Sequence, residues 1–245
     1  MSKHTEQEIP IFFIVGRPRS GTTLLRTLLD AHPNVIVPPE CQFIINLYPK
    51  YGMIRNWKRK HLENFYKELL SQWLFNLWPL EKDELLDKLL LCEGENTYAG
   101  VCKVVYSSYQ SVFQHDEIMA LGDKNPGYTI YTEKLLKIFP EAKFIHIVRD
   151  YRDNFVSIKN VDFELPYISL TTAKWKIFLK RFRKAADRHP GTHLELRYED
   201  LVSKPEKEFN AVCSFLNIPL SNIPLSFHEK KEEAAELYPK ETLEK

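Results

Sequence analysis

The feature that most restricts the fold of this chain is a continuous apolar run that leads, through a short glycine-bounded loop, into a helix. Residues 9–15 are apolar without interruption, which is typical of a strand covered on both faces of a sheet. The loop occupies residues 16–20, and residues 21–31 place four leucines on one helical face. This order predicts a strand, a loop and a helix at the start of the fold.

Strand and helix patterns continue to alternate along the rest of the chain. Further strands are predicted at residues 100–105, 118–121, 143–148 and 193–196, and helices at residues 61–91, 107–115, 129–139, 170–188 and 209–216. This alternation predicts an α/β fold, a single domain over residues 1–245 with a central parallel sheet flanked by helices. We expect residues 42–91 to form a helical insertion that covers the substrate, and residues 218–245 to form a poorly patterned tail.

Charge and cysteine usage narrow the class of protein. The formal net charge of +1 gives no general reason to expect a nucleic acid or an anionic membrane as partner. The four cysteines are widely scattered, which favours free thiols of a reducing compartment over a disulfide framework or a zinc site. No apolar run approaches bilayer length, and the polar start lacks a signal-peptide core. We therefore expect a cytoplasmic protein without a membrane span.

The loop after the first strand has the glycine spacing of a P-loop. Gly16 and Gly21 stand at the two glycine positions, and Thr23 stands at the hydroxyl position, so the loop predicts a fold of the P-loop nucleotide-binding type. Backbone N–H groups and the helix dipole surround a phosphate in such loops. The lysine of a nucleoside triphosphatase is replaced by Thr22, however, and positive charge comes from arginines earlier in the loop. A sulfonate carries less charge than a phosphoryl group, so a sulfonate donor can be bound by arginine, lysine and backbone donors without a metal ion.

The loop also carries a resemblance to a known family. Residues 18–25, PRSGTTLL, together with Asp-Ala-His-Pro at 30–33, resemble the 5'-phosphosulfate loop of the sulfotransferase superfamily. The similarity is to the tyrosylprotein sulfotransferases and the bacterial sulfotransferases related to them. The resemblance implies that the co-substrate 3'-phosphoadenosine 5'-phosphosulfate is bound by Arg17, Pro18, Arg19, Ser20, Gly21, Thr22 and Thr23.

A second phosphate site is predicted where the strand at residues 143–148 ends. Arg149 follows that strand directly, and Ser157 lies about two helical turns later. Because ligands of parallel sheets bind at the carboxyl ends of strands, this pair can hold a phosphate, although the motif alone is also typical of a surface salt-bridge cluster. The resemblance assigns the pair to the 3'-phosphate of the donor. It also places Tyr198, in a segment similar to the family's YEDL, beside the nucleotide; a ring that only anchors the strand to the next helix is the alternative.

The resemblance also implies the catalytic residues. Lys124 matches a strand-end lysine of the family, but Pro126 stands where the cytosolic steroid and phenol sulfotransferases have their histidine base. The tyrosylprotein branch uses a glutamate instead, and Glu40 occupies the matching position. Lys124 and Arg19 would stabilise the charge that develops during transfer. His115 is the next candidate for the base.

Taken together, these residues predict an enzyme. It would move a sulfonate from 3'-phosphoadenosine 5'-phosphosulfate to a hydroxyl or amine of a small acceptor, such as a lipid, sterol, phenol or glycan. Two alternatives remain open, a P-loop kinase or nucleotidase acting on ATP and a nucleotide-binding protein without turnover. Thr22 in place of the loop lysine disfavours the first, and the presence of Glu40 and Lys124 disfavours the second.

Overall fold

The computed structural model describes residues 6–159 and 167–221. Its strands are β1 (Ile11–Gly16), β2 (Val35–Ile36), β3 (Asn56–Trp57), β4 (Gly94–Glu95), β5 (Ala120–Lys124), β6 (Lys143–Val148) and β7 (His193–Arg197). Its α-helices are α1 (Thr22–Asp30), α2 (Phe43–Tyr51), α3 (Arg59–Leu70), α4 (Lys82–Leu90), α5 (Tyr98–Ser107), α6 (Thr132–Ile138), α7 (Tyr151–Ile158), α8 (Ile168–Arg188), α9 (Tyr198–Ser203) and α10 (Pro205–Leu216). Short 3₁₀ helices cover Phe75–Leu77 and Pro126–Tyr131.

Five of the strands form one sheet in the order β2-β5-β1-β6-β7. β1 pairs with β6 in parallel, with Ile14 opposite Ile145, and β6 pairs with β7 in parallel, with Ile145 opposite Leu194. All six residues of β1 are buried, which explains its uninterrupted apolar sequence. The predicted α/β fold of the P-loop nucleotide-binding type, with a central parallel sheet flanked by helices, is confirmed.

The chain divides into two compact units. Of the described residues, the first unit comprises 6–11, 27–123 and 221, and its helices α2, α3 and α5 pack through aromatic side chains. Phe65 meets the rings of Tyr51, Trp57 and Tyr98 edge-on, at centroid distances of 5.3 to 6.3 Å. Such edge-to-face contacts suit the quadrupoles of aromatic rings. This cluster is the core of the helical segment that was predicted at residues 42–91.

Of the described residues, the second unit comprises 12–26, 124–159 and 167–220. Its core lies along β1 and β6, where Phe13 stacks on Phe144 at 5.2 Å between ring centroids and contacts Phe139 at 5.7 Å. Every residue predicted to bind the nucleotide belongs to this unit. The assignment of residues 1–245 to a single domain stays a prediction.

The strand predicted at residues 100–105 is wrong, because these residues lie inside α5. Thr97 caps this helix, since its hydroxyl accepts a hydrogen bond from the backbone of Gly100 at 3.0 Å. Almost every residue of α5 is buried, so the sequence is apolar on all sides of the helix. A short apolar run of this kind does not distinguish a buried strand from a buried helix.

The helix predicted at residues 107–115 is also wrong. α5 ends at Ser107, and no helix follows it before β5. Ser111 donates a hydrogen bond to a carboxylate oxygen of Asp30 at 2.8 Å, and the ring of His115 lies 2.9 Å from the carbonyl oxygen of Asp30. These contacts with the end of α1 hold the segment in an irregular path.

The helical pattern predicted at residues 61–91 is divided in the structure. α3 ends at Leu70, the backbone turns at Leu74 with a left-handed φ of 65°, and α4 begins at Lys82. Pro79 lies between the two helices, where it blocks a continuous helix because it lacks a backbone donor. The substrate-covering role of residues 42–91 stays a prediction. Of the tail, residues 222–245 lie outside the described residues.

All four cysteines are buried free thiols, as their spacing predicted. Burial raises the pKa of Cys41 to about 12, so this thiol stays protonated at neutral pH.

Within residues 6–159 and 167–221, no helix has both the length and the apolar character that crossing a membrane requires.

Candidate nucleotide-binding site

The end of β1 is fixed by the close approach of a neighbouring strand. Gly16 has a φ of +154°, and a Cβ at this position would lie 2.5 Å from the carbonyl oxygen of Ile147 in β6, too close for any other residue. The Thr129 hydroxyl accepts a hydrogen bond from the N–H of Gly16 at 2.8 Å and lies 2.7 Å from the carbonyl oxygen of Pro126. The loop therefore starts from a rigid point at the carboxyl end of β1.

Asn154, a residue that the sequence did not single out, holds the middle of the loop. It lies on α7 and is fully buried. Its side-chain amide donates to the carbonyl oxygen of Pro18 at 2.8 Å and lies 3.3 Å from the hydroxyl of Ser20. A buried amide that bonds two points of one loop fixes the backbone between them. Its spacing of three residues from Ser157, on one face of α7, is the sequence signal that could have identified it.

The backbone of Arg19 adopts a conformation that is rare for a residue with a side chain. Its φ is 67°, in the left-handed region, which costs about 1–3 kcal/mol unless neighbouring contacts compensate. Arg149, directly after β6, donates to the carbonyl oxygen of Arg19 at 3.2 Å. The arginine predicted for the second phosphate site thus also stabilises the loop of the first.

The side chain of Arg19 reaches the second predicted phosphate site. Its Nε donates to the hydroxyl of Ser157 at 2.9 Å. The structure therefore brings Arg19 to Arg149 and Ser157, which lie 130 and 138 residues away from it in the sequence. This juxtaposition arises because β1 and β6 are neighbours in the sheet and α7 starts immediately after β6.

The ring of Tyr198 lies beside the cluster formed by Arg19, Arg149 and Ser157. The guanidinium carbon of Arg149 lies 4.6 Å from the centroid of the Tyr198 ring, within the range of a cation–π contact. The ring also packs against Gly21, whose φ is +93°, and a Cβ there would lie 2.2 Å from the ring carbon Cδ2. Tyr198 therefore contacts the loop and the second site at once, and its role beside a nucleotide stays a prediction.

The structure places the remaining predicted binding residues in different surroundings. Arg17 is buried, with its guanidinium 5.5 Å from the ring centroid of Phe178 on α8. Thr22 is also buried at the start of α1, whereas Thr23 is exposed. Lys124 ends β5 and is 9% exposed. Their roles in binding or catalysis stay predictions.

Trp175 is a second residue that the sequence analysis left without a role. Its indole N–H donates to the carbonyl oxygen of Arg149 at 2.9 Å, and its ring contacts Tyr151 at 6.2 Å between centroids. Through Trp175, α8 therefore holds the end of β6 in place.

His146 lies in the middle of β6 and stacks on Phe182, with 4.1 Å between the ring centroids. Burial lowers the pKa of His146. A histidine in this place packs in the core.

The carboxylates beside Arg149 are occupied by other partners. Asp150 caps α7 and forms a two-point contact with the guanidinium of Arg152, which holds the pKa of Asp150 well below its usual range. Glu199 accepts a hydrogen bond from the backbone of Asp150 at 2.8 Å. Among the described residues, no recorded ion pair neutralises the guanidinium of Arg149, so its positive charge remains available for an anion.

Glu40, the predicted base, belongs to the first unit. The segment that leads to it is pinned at two points. A carboxylate oxygen of Asp30 accepts from the backbone of Val37 at 2.9 Å, and Trp78 donates to the carbonyl oxygen of Pro39 at 2.8 Å. Glu40 itself is partly exposed. Its role as a base stays a prediction.

No cluster with the composition of a metal site is present in the described part of the chain. A group of three or more histidine, cysteine, aspartate or glutamate side chains that could surround an ion does not occur within residues 6–159 and 167–221.

Comparison with known proteins gives one matching family. A family model described as the sulfotransferase family matches residues 10–222. Protein-tyrosine sulfotransferase 1 of Danio rerio is 30% identical over 235 residues, which cover 91% of this chain and 57% of the relative. The protein-tyrosine sulfotransferase of Drosophila melanogaster is 28% identical over 236 residues, or 91% of this chain and 41% of the relative. The chain thus spans about half the length of these two relatives.

Two solved structures share the fold. The sulfotransferase domain of the Synechococcus PCC 7002 olefin synthase aligns with a TM-score of 0.61 and 24% identity, over 89% of this chain and 76% of that one. The sulfotransferase domain from the curacin biosynthetic pathway aligns with a TM-score of 0.56 and 22% identity, over 89% and 77%. With a family model that matches most of its length, this chain belongs to the sulfotransferase family.

Proposed function

We propose that this chain transfers a sulfonate from 3'-phosphoadenosine 5'-phosphosulfate to a hydroxyl or amine of a small acceptor and releases adenosine 3',5'-bisphosphate. The observation that carries the proposal is the meeting of Arg19, Arg149 and Ser157 at the carboxyl ends of β1 and β6. A nucleoside triphosphate carries its phosphates in one row, which a single loop can hold. A donor with a separate 3'-phosphate needs a second cationic site next to that loop.

The loop would bind the 5'-phosphosulfate, and Arg149 with Ser157 would bind the 3'-phosphate. Backbone N–H groups at the start of α1 point towards the loop, where the helix dipole favours an anion. The contact between Arg19 and Ser157 is compatible with a bound phosphate. A serine hydroxyl can accept from the Arg19 guanidinium and donate its own proton to a phosphate oxygen at the same time.

The proposed transfer is a direct displacement at sulfur. The acceptor oxygen or nitrogen forms a bond to sulfur as the bond between sulfur and the 5'-phosphate oxygen breaks. Negative charge then develops on the leaving phosphate, and we assign its stabilisation to Lys124 and Arg19. We assign the acceptor proton to the carboxylate of Glu40, on the basis of its sequence position after Asp-Ala-His-Pro at 30–33. The loop has Thr22 where a triphosphatase has lysine, so we propose that the reaction proceeds without a metal ion.

Among the hydroxyl and amine acceptors, we propose a phenolic hydroxyl as the first group to test. The relatives are named protein-tyrosine sulfotransferases, and a tyrosine side chain is a phenol. Aliphatic alcohols of sterols, lipids and glycans share the reacting group, and an amine would react in the same way. The acceptor panel should therefore contain all of these, with a tyrosine peptide among the phenols.

The experiment is a transfer assay with donor labelled in its sulfonate. The purified chain is incubated with the labelled donor and the acceptor panel, with and without EDTA, and labelled acceptor is separated from donor. We expect label on at least one hydroxyl acceptor, equal rates with and without chelator, and a strong loss of transfer in Lys124→Ala. Phosphate transfer from ATP that requires magnesium, without any sulfonate transfer, would contradict the proposal and favour a P-loop kinase.

A further inference from the structure

We propose that the outer face of α8 is a docking surface for an anionic membrane. We call this the basic face and define it as Lys176, Ile177, Lys180, Arg181 and Lys184. It takes no part in the function proposed above. Its occupant is a lipid bilayer with negatively charged headgroups.

The five residues lie on one side of the helix and are all exposed. Their spacings of three and four residues put them on neighbouring turns of α8, which runs for 21 residues. The opposite side of the helix is buried through Thr171, Phe182, Ala185 and Ala186. α8 therefore has one face for the protein core and one face for solvent, and the solvent face carries the charge.

Basic residues are more concentrated in α8 than in the chain as a whole. Residues 174–188 hold seven basic side chains and one acidic side chain, whereas the chain as a whole has a net charge of only +1. Arg183 pairs with Glu195 at 2.6 Å, and Arg188 pairs with Glu133. No ion pair within residues 6–159 and 167–221 is recorded for the four cations of the basic face. The net charge of the whole chain gave no reason to expect an anionic partner, but it does not reflect the local positive charge of the basic face.

An exposed isoleucine within the basic face favours a bilayer over a nucleic acid. Ile177 is 50% exposed, and Lys180 and Arg181 lie one turn further along the helix. At a membrane surface, the isoleucine can enter the boundary between headgroups and acyl chains while the lysines extend to the phosphates. A nucleic acid would use only the charges, since the basic face offers no aromatic ring for stacking on a base. The combination of four cations with one exposed apolar residue suits contact with a surface of anionic headgroups.

The basic face faces away from the phosphate loop. Trp175 and Phe178, on the inner side of the same helix, contact the carbonyl oxygen of Arg149 and the guanidinium of Arg17. The five residues of the basic face make none of these contacts. Changes on the outer face should therefore leave nucleotide binding intact, which separates a docking defect from a defect in the site.

The test is flotation of the full chain with vesicles of phosphatidylcholine alone and of phosphatidylcholine with about 30% phosphatidylserine. We expect the chain to float only with the anionic vesicles and to be released as salt is raised. Lys180→Glu/Lys184→Glu should lower the partition coefficient at least about tenfold. The matched control is Lys60→Glu/Lys67→Glu on α3, which makes the same charge change on another exposed helix and should partition like the unaltered chain.

A third variant separates the apolar contribution from the charge. Ile177→Ser keeps every cation and should weaken the binding that persists at high salt. Each variant is first checked for an unchanged affinity for adenosine 3',5'-bisphosphate, so that misfolding is excluded. Equal flotation with neutral and anionic vesicles would overturn the proposal. An equal loss of vesicle binding in Lys180→Glu/Lys184→Glu and in Lys60→Glu/Lys67→Glu would also overturn it. Binding to single-stranded RNA through the basic face without binding to vesicles would overturn it as well.

Discussion

The two units of this chain use their polar side chains in different ways. In the second unit, Asn154, Arg149 and Thr129 all form hydrogen bonds with one stretch of backbone, residues 16–20. In the first unit, the core around Phe65 consists of aromatic rings. There the carboxylate of Asp30 holds two chain segments, through the backbone of Val37 and the hydroxyl of Ser111.

This difference has consequences for how each unit responds to substitution. A polar residue removed from the second unit changes the conformation of a loop that binds a ligand, so affinity should fall more than stability. A ring removed from the first unit leaves a cavity in the core, so stability should fall while ligand affinity is kept. The predictions below test this separation, beginning with the largest effect.

Glu40→Gln tests the one residue of the first unit to which we assign chemistry. The change keeps the size of the side chain and removes the base, so kcat for sulfonate transfer should fall by roughly 10²–10⁴. The affinity for adenosine 3',5'-bisphosphate and the melting temperature should stay the same. Glu81→Gln, an exposed glutamate of the same unit, is the matched control and should transfer at the normal rate. An unaltered kcat in Glu40→Gln would remove Glu40 from the mechanism, and His115 would be the next variant to make.

Phe65→Ala tests the aromatic core. Phe65 is fully buried among Tyr51, Trp57 and Tyr98, so its truncation should lower the free energy of unfolding by about 3–5 kcal/mol. Urea denaturation measures this change, and Phe65→Leu should cost much less because it fills more of the cavity. Calorimetry below the melting temperature should find an unchanged affinity for adenosine 3',5'-bisphosphate. A variant that folds normally but has lost this affinity would break the separation between the two units.

Asn154→Leu makes the opposite test in the second unit. The substitution keeps the volume but removes the hydrogen bonds to Pro18 and Ser20, so about 1–2 kcal/mol of nucleotide binding should be lost, or about 5–30-fold in affinity. The measurement is calorimetry with adenosine 3',5'-bisphosphate. Val156→Ala, at an exposed position of the same helix, controls for changes in α7 and should bind normally. Unchanged affinity in Asn154→Leu would show that the loop does not depend on this amide.

A substitution at His146 should have a smaller effect on the free energy of unfolding, and this effect should depend on pH. Burial lowers its pKa below the usual 6.5, so the unfolded chain binds this proton more readily than the folded chain. The contribution of His146 to stability is therefore complete above about pH 6.5 and is lost as the pH falls below that value. His146→Phe keeps a ring against Phe182 and should flatten the decline in unfolding free energy between about pH 7 and pH 5. Parallel pH profiles for the two proteins would contradict this assignment.

The sequence predicted the second unit better than the first. The strands β1 and β6 could be read from apolar runs, because strands buried on both faces contain little else. The glycine spacing of the loop and the residues after β6 then identified Arg149 and Ser157, which the structure brings to Arg19. In the first unit, α5 is as apolar as a buried strand and was predicted as one. The local cap formed by Thr97 and the long-range contact between Asp30 and Ser111 decide the path of the chain there.

Contacts at long sequence separation could not be predicted from the sequence. Asn154, Trp175 and Thr129 hold the loop or the end of β6 through hydrogen bonds to backbone atoms. Backbone atoms carry no signal in the sequence, so the backbone partner of such a side chain cannot be identified from it. The direct contact between Arg19 and Ser157 is also visible only once β1 and α7 are in place.

The central claim is that Arg149 and Ser157 form a 3'-phosphate site beside the loop, and calorimetry with two nucleotides tests it most directly. Two charge-assisted hydrogen bonds contribute about 3–6 kcal/mol, so adenosine 3',5'-bisphosphate should bind at least about 100-fold more tightly than ADP. Arg149→Ala/Ser157→Ala should remove this preference by weakening the binding of the bisphosphate much more than that of ADP. Equal affinities of the unaltered chain for the two nucleotides would contradict the account.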